Sequence, residues 1–217
     1  MKHLLIIGAR GFGREIYNSA TESIGYGTEF DIKGFLDDKA EALDGFEGYP
    51  PIISSVEAYE PHPDDVFVCA LGDVKYKIKY AQMILEKGGE FITLIHKTAY
   101  ISKNVKIGNG CLVLADSRIH CDVKVGNFVT IQPKATIGHD TVIEDWCMIG
   151  TLTCCGGVSY IEEGATMHLC SVVSPNKRLG SYSVLGACSF AARNVKSGTI
   201  VIGVPAKELI TPKLDRK

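Results

Sequence analysis

Three groups of residues have types and spacings that could do chemistry. The first is His139 followed by Asp140. An imidazole exchanges protons near neutral pH, and an adjacent carboxylate can orient it and stabilise its charged form. The same pair could also be two tolerated outward residues of a turn, as His120 and His168 are expected to be. The second is the loop GARGFG, spaced Gly8-x-x-Gly11-x-Gly13, with Arg10 and Phe12 between the glycines. Glycines let a backbone approach a phosphate at a helix N-terminus, so a nucleotide or nucleotide sugar fits here, and so does a structural turn. The spacing is not the G-x-G-x-x-G of a full dinucleotide site. The third is Asp37-Asp38, where either carboxylate could bond a ribose or sugar hydroxyl.

These groups need elements to position them. From Ile101 in steps of six the chain reads Ile101, Ile107, Val113, Ile119, Val125, Ile131, Ile137, Ile143, Ile149, Cys155, Ile161, Met167, Val173, Leu179 and Leu185, all apolar. The residue two positions earlier is small or β-branched, as in Cys111, Ser117, Val123 and Ala135, and glycine often follows the large one. Period six suits neither an α-helix nor a hairpin. It suits three short flat strands per coil, with residues eighteen apart as vertical neighbours and coils about 4.8 Å apart. The pattern resembles the hexapeptide-repeat β-helix, whose coils are left-handed, so the expected architecture for residues 96–217 is an all-β left-handed parallel β-helix, with glycine relieving the turns. Lys177 breaks the small-residue rule, and SPNKRLG is expected to bulge or shift register. Residues 1–95 alternate strand and helix patterns (HLLIIG, GREIYNSATES, FDIKGFLDD, DDVFVCALGD, YKIKYAQMILEKG). They imply a small Rossmann-like parallel α/β domain with little room for both halves of NAD.

Composition narrows the partners. Apolar residues make up 46% and charged residues 22%, with a net charge of −2, so no general charge excess draws the chain to nucleic acid or an anionic membrane. The N-terminal apolar run, Leu4 to Ile7, is too short for a secretion signal, and no stretch approaches a membrane span. The expectation is a cytoplasmic protein. Its eight cysteines, none in a C-x-x-C pair, are then reduced, most of them packing as small apolar residues.

The segments GARGFGREI, GFLDD, ALGD, IGHDTVIED and IVIGVPAK together resemble the bacterial sugar acyltransferases that include sialic-acid O-acetyltransferases and bacillosamine N-acetyltransferases. The resemblance spans essentially the whole chain. It implies a homotrimer with acetyl-CoA lying along the β-helix between adjacent subunits, and a sugar or nucleotide sugar held by the N-terminal domain. It implies that His139 takes the proton from an attacking amine or hydroxyl, that Asp140 orients His139, and that the Gly157 N–H steadies the thioester oxyanion. On the substrate side it places Gly8, Arg10, Gly11, Phe12, Gly13, Asp37, Asp38 and Gly72. On the acetyl-CoA side it places Met148, Gly157, Gly186 and Lys207. The chain departs from the bacillosamine branch at Phe12 and Met148, which replace histidines, and at Gln132, which replaces an asparagine.

Two rivals use the same architecture. A zinc enzyme requires three converging imidazoles, and the spacings from His120 to His139 to His168 do not pair ligands closely; no metal is expected. A non-catalytic trimeric scaffold or sugar-binding protein would keep the coils and lose the transfer.

Overall fold

The computed structural model describes residues 1–209. The N-terminal domain contains β1 (Lys2–Ile7), α1 (Gly11–Thr21), β2 (Phe30–Leu36), β3 (Ile52–Ser54), β4 (Asp65–Cys69), α2 (Val74–Glu86) and β5 (Glu90–Phe91). The strands form one parallel sheet in the order β3-β2-β1-β4-β5. Strand β1 is central, and alternation along it sorts its side chains. Leu4 and Ile6 pack with Ile16 and Ala20 of α1, while Leu5 and Ile7 pack with Ala81 and Ile84 of α2. Each helix thus covers one face of the sheet, the arrangement expected of a parallel sheet.

The β-helix begins with Leu94–Ile95, and its two-residue strands recur every six residues. Strands eighteen residues apart pair in parallel, as Arg118↔Thr136, Thr136↔Cys154 and Cys154↔Val172 do. Three faces result. The first carries Leu94–Ile95, Leu112–Val113, Thr130–Ile131, Met148–Ile149 and their successors. The second carries the column from Tyr100–Ile101 to Phe190–Ala191, and the third the column from Lys106–Ile107 to Arg178–Leu179. Val113 to Leu185 of the fifteen-residue series are all buried, while Ile101 and Ile107 in the first coil are partly buried against the same core. Corner hydroxyls turn back to the backbone: Ser117 Oγ donates to Leu114 O (2.8 Å) and Ser171 Oγ to His168 O (2.7 Å). An antiparallel pair, Ile200–Gly203 with Ala206–Glu208, ends the first face.

Two expectations about the coil are corrected. The left-handed backbone at each turn falls three residues after the inward apolar one, and it is seldom glycine. Asn104, Asp122, Lys134, Asp140, Trp146 and others in this series have φ between 54° and 65°. The frequent glycine one residue after the inward position serves close stacking instead. A Cβ on Gly138 would lie 2.6 Å from Gly157 N, and one on Gly156 would lie 2.5 Å from Pro175 N. At Lys177 the register does not shift: Tyr160 pairs with Arg178, Ile161 pairs with Leu179, and Tyr160 N donates to Lys177 O at 2.9 Å. The half-buried Lys177 side chain leaves the corner without disturbing the backbone.

The N-terminal domain sits on the first face. Both of its apolar clusters continue into the coil, one through Leu94, Leu112 and Leu114 and the other through Phe128. Phe91 meets Phe128 edge-on at 5.0 Å, and Phe128 stacks on Trp146 one coil further at 4.2 Å and 5°. Aromatic packing of this kind adds to plain area burial.

Candidate active site

The glycine loop is built by close approach of α1 to β1. Gly8 has φ +97°, and a Cβ on Gly13 would lie 2.0 Å from Gly8 O. Only glycine fits at Gly13, and the left-handed backbone favours it at Gly8. Arg10 is the N-cap of α1, which begins at Gly11. A cavity of about 520 Å³ opens over this loop, lined in part by Gly8, Arg10, Phe12, Gly13, Asp37, Asp38 and Gly72. Gly11 is outside the lining, and a Cβ there would meet nothing within 4 Å. Gly11 thus faces open space at the first turn of α1, beside the cavity lining.

The two aspartates have different jobs. Asp37 accepts from Ala9 N and Lys39 N, both at 2.9 Å, and so ties the end of β2 to the glycine loop. Asp38 accepts from the Tyr80 hydroxyl across the cavity wall. That bond, with burial behind it, pushes the Tyr80 phenol up to about 12, so it remains a neutral donor. Tyr76 and Tyr80 both line the cavity. Sequence reading missed them, although aromatics four apart at the start of a helix were a signal that they share a face.

The second locus is a corner of the β-helix between the second and third faces. His139 Nδ1 lies 2.7 Å from Asp140 Oδ2, and both side chains are exposed. Asp140 occupies the left-handed turn position, φ 56°, which aspartate tolerates better than most residues. With Nδ1–H donating to the carboxylate, the Nε2 lone pair is free to accept a proton. Gly157 sits one coil on. A Cβ there would lie 2.7 Å from His139 Nε2, so glycine gives the imidazole its room. Among the described residues no acceptor takes the Gly157 N–H.

The remaining expected positions are dispersed. Met148 is 5% exposed, with its sulfur 3.8 Å from Lys77 Nζ, so the chain's own α2 covers it. Direct contact between Met148 and a cofactor is not available in this arrangement. Gly186 is buried beneath Ile202, whose Cγ2 would be 2.6 Å from a Cβ there. Lys207 is exposed on the last strand. Among the described residues no three His, Cys, Asp or Glu side chains converge as a metal site would require, and no helix is long and apolar enough to cross a membrane.

A hexapeptide β-helix carrying a histidine–aspartate pair, with an α/β cavity domain on one face, defines a class of transferase-like proteins. Residues 3–84 match the family described as PglD N-terminal domain, and residues 116–151 match bacterial transferase hexapeptide (six repeats). GDP-perosamine N-acetyltransferase of Escherichia coli O157:H7 is 25% identical over 94% of this chain and 95% of its own. UDP-N-acetylbacillosamine N-acetyltransferase of Bacillus subtilis (strain 168) is 29% identical over 53% of this chain and 52% of its own. PerB from Caulobacter crescentus, solved in complex with CoA and GDP-perosamine, shares the fold with a TM-score of 0.87 at 22% identity, covering 97% of this chain and 98% of that one. Over nearly its whole length the chain is similar to bacterial hexapeptide-repeat acetyltransferases related to the GDP-perosamine and UDP-bacillosamine N-acetyltransferases.

Proposed function

We propose that this protein transfers an acetyl group from acetyl-CoA to an amine or hydroxyl of a nucleotide-linked sugar. The observation that carries the reading is the His139–Asp140 hydrogen bond, which leaves Nε2 free beside Gly157. The acceptor's amine or hydroxyl attacks the thioester carbonyl while His139 Nε2 takes its proton. Asp140 holds the ring and stabilises the imidazolium. On this reading the Gly157 N–H, which no described acceptor takes, receives the oxyanion, which collapses to the new amide or ester and expels the CoA thiolate. The imidazolium can then return its proton to that leaving group. No covalent enzyme intermediate is needed.

The assembly follows from where the two loci sit. The cavity domain packs on the first face, and His139 lies on the corner opposite that face. One chain cannot bring its own cavity to its own dyad, so the site is completed between neighbouring copies in a closed ring, read here as a homotrimer. Acetyl-CoA then lies along the corner that carries His139 and Gly157, between subunits. Lys207 is an exposed candidate contact for it, and Gly186 supplies packing under Ile202.

The test is CoA release from acetyl-CoA with a panel of nucleotide-linked amino and deoxy sugars, run on wild type and His139→Ala. Turnover with at least one acceptor, reduced 10²–10⁴-fold in the variant, is expected. Ligand binding without CoA release from any acceptor would favour the sugar-binding scaffold, and near-wild-type turnover by His139→Ala would remove the proposed base.

A further inference from the structure

Lys77 is fully buried, yet no part of the transfer chemistry uses it. Its Nζ donates to Phe128 O at 2.5 Å and Thr130 Oγ1 at 2.8 Å, both on the β-helix. The Met148 sulfur lies 3.8 Å away, and the thiols of Cys69, Cys111 and Cys147 are near enough to act on its charge. Among the described residues no carboxylate pairs with it. Burying an ammonium this way is costly, and an apolar side chain of similar volume would fill the space at less expense. What lysine adds is direction: two acceptors on one coil fix the height and rotation of α2 on the first face.

Helix α2 is a shared wall. On one side its Tyr76 and Tyr80 line the acceptor cavity, and Tyr80 bonds Asp38. On the other side Val74, Lys75 and Ile78 line a groove of about 680 Å³ against Thr166, His168, Tyr182 and Val184 of the β-helix. Gly72 and Asp73, just before the helix, line both. A small slide of α2 would change the cavity and the groove together.

We propose that Lys77 is a positioning residue, whose two hydrogen bonds to Phe128 and Thr130 hold the acceptor cavity in the register with the β-helix that acyl transfer requires. This rests on the acyltransferase reading given above. Catalysis is sensitive to such placement, since a misplacement of about 1 Å can cost on the order of 10²-fold in rate.

The experiment compares wild type, Lys77→Met, Thr130→Val and the double variant, using acetyl-CoA and a nucleotide sugar that the wild type turns over. Lys77→Met is expected to keep its oligomeric state, its melting temperature near pH 7 and its KM for acetyl-CoA, while kcat falls at least tenfold. Thr130→Val should lose less, and the double variant should be no worse than Lys77→Met, because both changes break one connection. Hydrogen exchange across 76–87 should be faster in Lys77→Met. Wild-type kcat in folded Lys77→Met, or additive losses in the double variant, would overturn the proposal. If Lys77→Met fails to assemble, the Thr130→Val split between kcat and KM decides alone, an unchanged kcat overturning it. If the wild type acetylates no nucleotide sugar, the acyltransferase reading fails. Exchange across α2 then decides the pin by itself, faster exchange supporting it and unchanged exchange overturning it.

Discussion

Replacing Lys77 by methionine should change the pH dependence of stability in a way that can be worked in advance. Burial pushes the Lys77 ammonium down from the ordinary 10.5 to about 8, and the thiols of Cys69, Cys111 and Cys147 pull it back slightly. A folded-state value below the unfolded one means that the unfolded chain binds more protons between pH 8 and 10.5. Wild-type stability therefore carries the full penalty below pH 8, recovers it as pH rises through that window, and is free of it above. A shift of this size corresponds to about 3 kcal/mol. Near pH 7 methionine removes that penalty and also loses hydrogen bonds from a charged donor, which contribute about 1.5–3 kcal/mol each. The two variants should therefore be of similar stability at neutral pH. Their difference should then move by about 3 kcal/mol in favour of wild type between pH 8 and 10.5. Burial raises the thiols of Cys69 and Cys147 to about 12 and that of Cys111 to about 11. Those groups hold protons when folded and destabilise both proteins above pH 9; because the Lys77 charge lowers each thiol, the comparison is read chiefly below pH 9. Urea melts at pH 7.5, 8.5 and 9.5 give the result. Parallel curves for the two proteins would refute the account, because they would mean that Lys77 titrates as an ordinary exposed lysine.

Other outcomes follow from single contacts. Gly157→Ala puts a methyl against His139 Nε2; kcat should fall roughly 10–100-fold with an unchanged melting temperature, and steady-state kinetics beside a thermal melt checks it. Gly11→Val, at an open position, should leave the acceptor KM within about twofold, while Gly13→Ala, which meets Gly8 O at 2.0 Å, should disrupt the loop and cost several kcal/mol; titration calorimetry and denaturant melts separate the two. Ile143→Asp buries an unpaired charge in the coil core and should cost at least ~4 kcal/mol and disassemble the protein; light scattering with circular dichroism reads it, and an intact oligomer would contradict the register.

The coil was legible because its inward positions tolerate only apolar residues, so the period survives in the sequence from Val113 to Leu185 without exception. The turns were less legible. Left-handed φ is a backbone property that Lys134 and Trp146 adopt as readily as Asp140 under the constraint of coils above and below, so residue type marks those positions only in part. Lys177 misled for a related reason: a long side chain can leave a corner that the backbone holds in register. In the N-terminal domain the strand–glycine–helix pattern placed Gly8, Gly13, Asp37 and Asp38 around one cavity. Gly11 faces open space beside that cavity, a difference from Gly8 and Gly13 that spacing cannot reveal. Lys77 was invisible, since a lysine in YKIKYAQM reads as a solvated helix face until the partner surface is known. His139 and Asp140 were singled out by resemblance, and spacing alone left them ambiguous between base and turn.

In the proposed ring, a triangular coil with its cavity domain on one side and its dyad on the corner opposite would divide labour between copies. A subunit with a ruined cavity still offers its histidine to a neighbour, and a subunit lacking the histidine still presents an acceptor. Two inactive genes expressed together should therefore rescue one another. In randomly mixed rings about a quarter of the junctions would combine an intact cavity with an intact dyad. In the same ring an allele with a single defect costs one junction per defective copy, and only an allele that ruins both cavity and dyad would spoil the junction on either side.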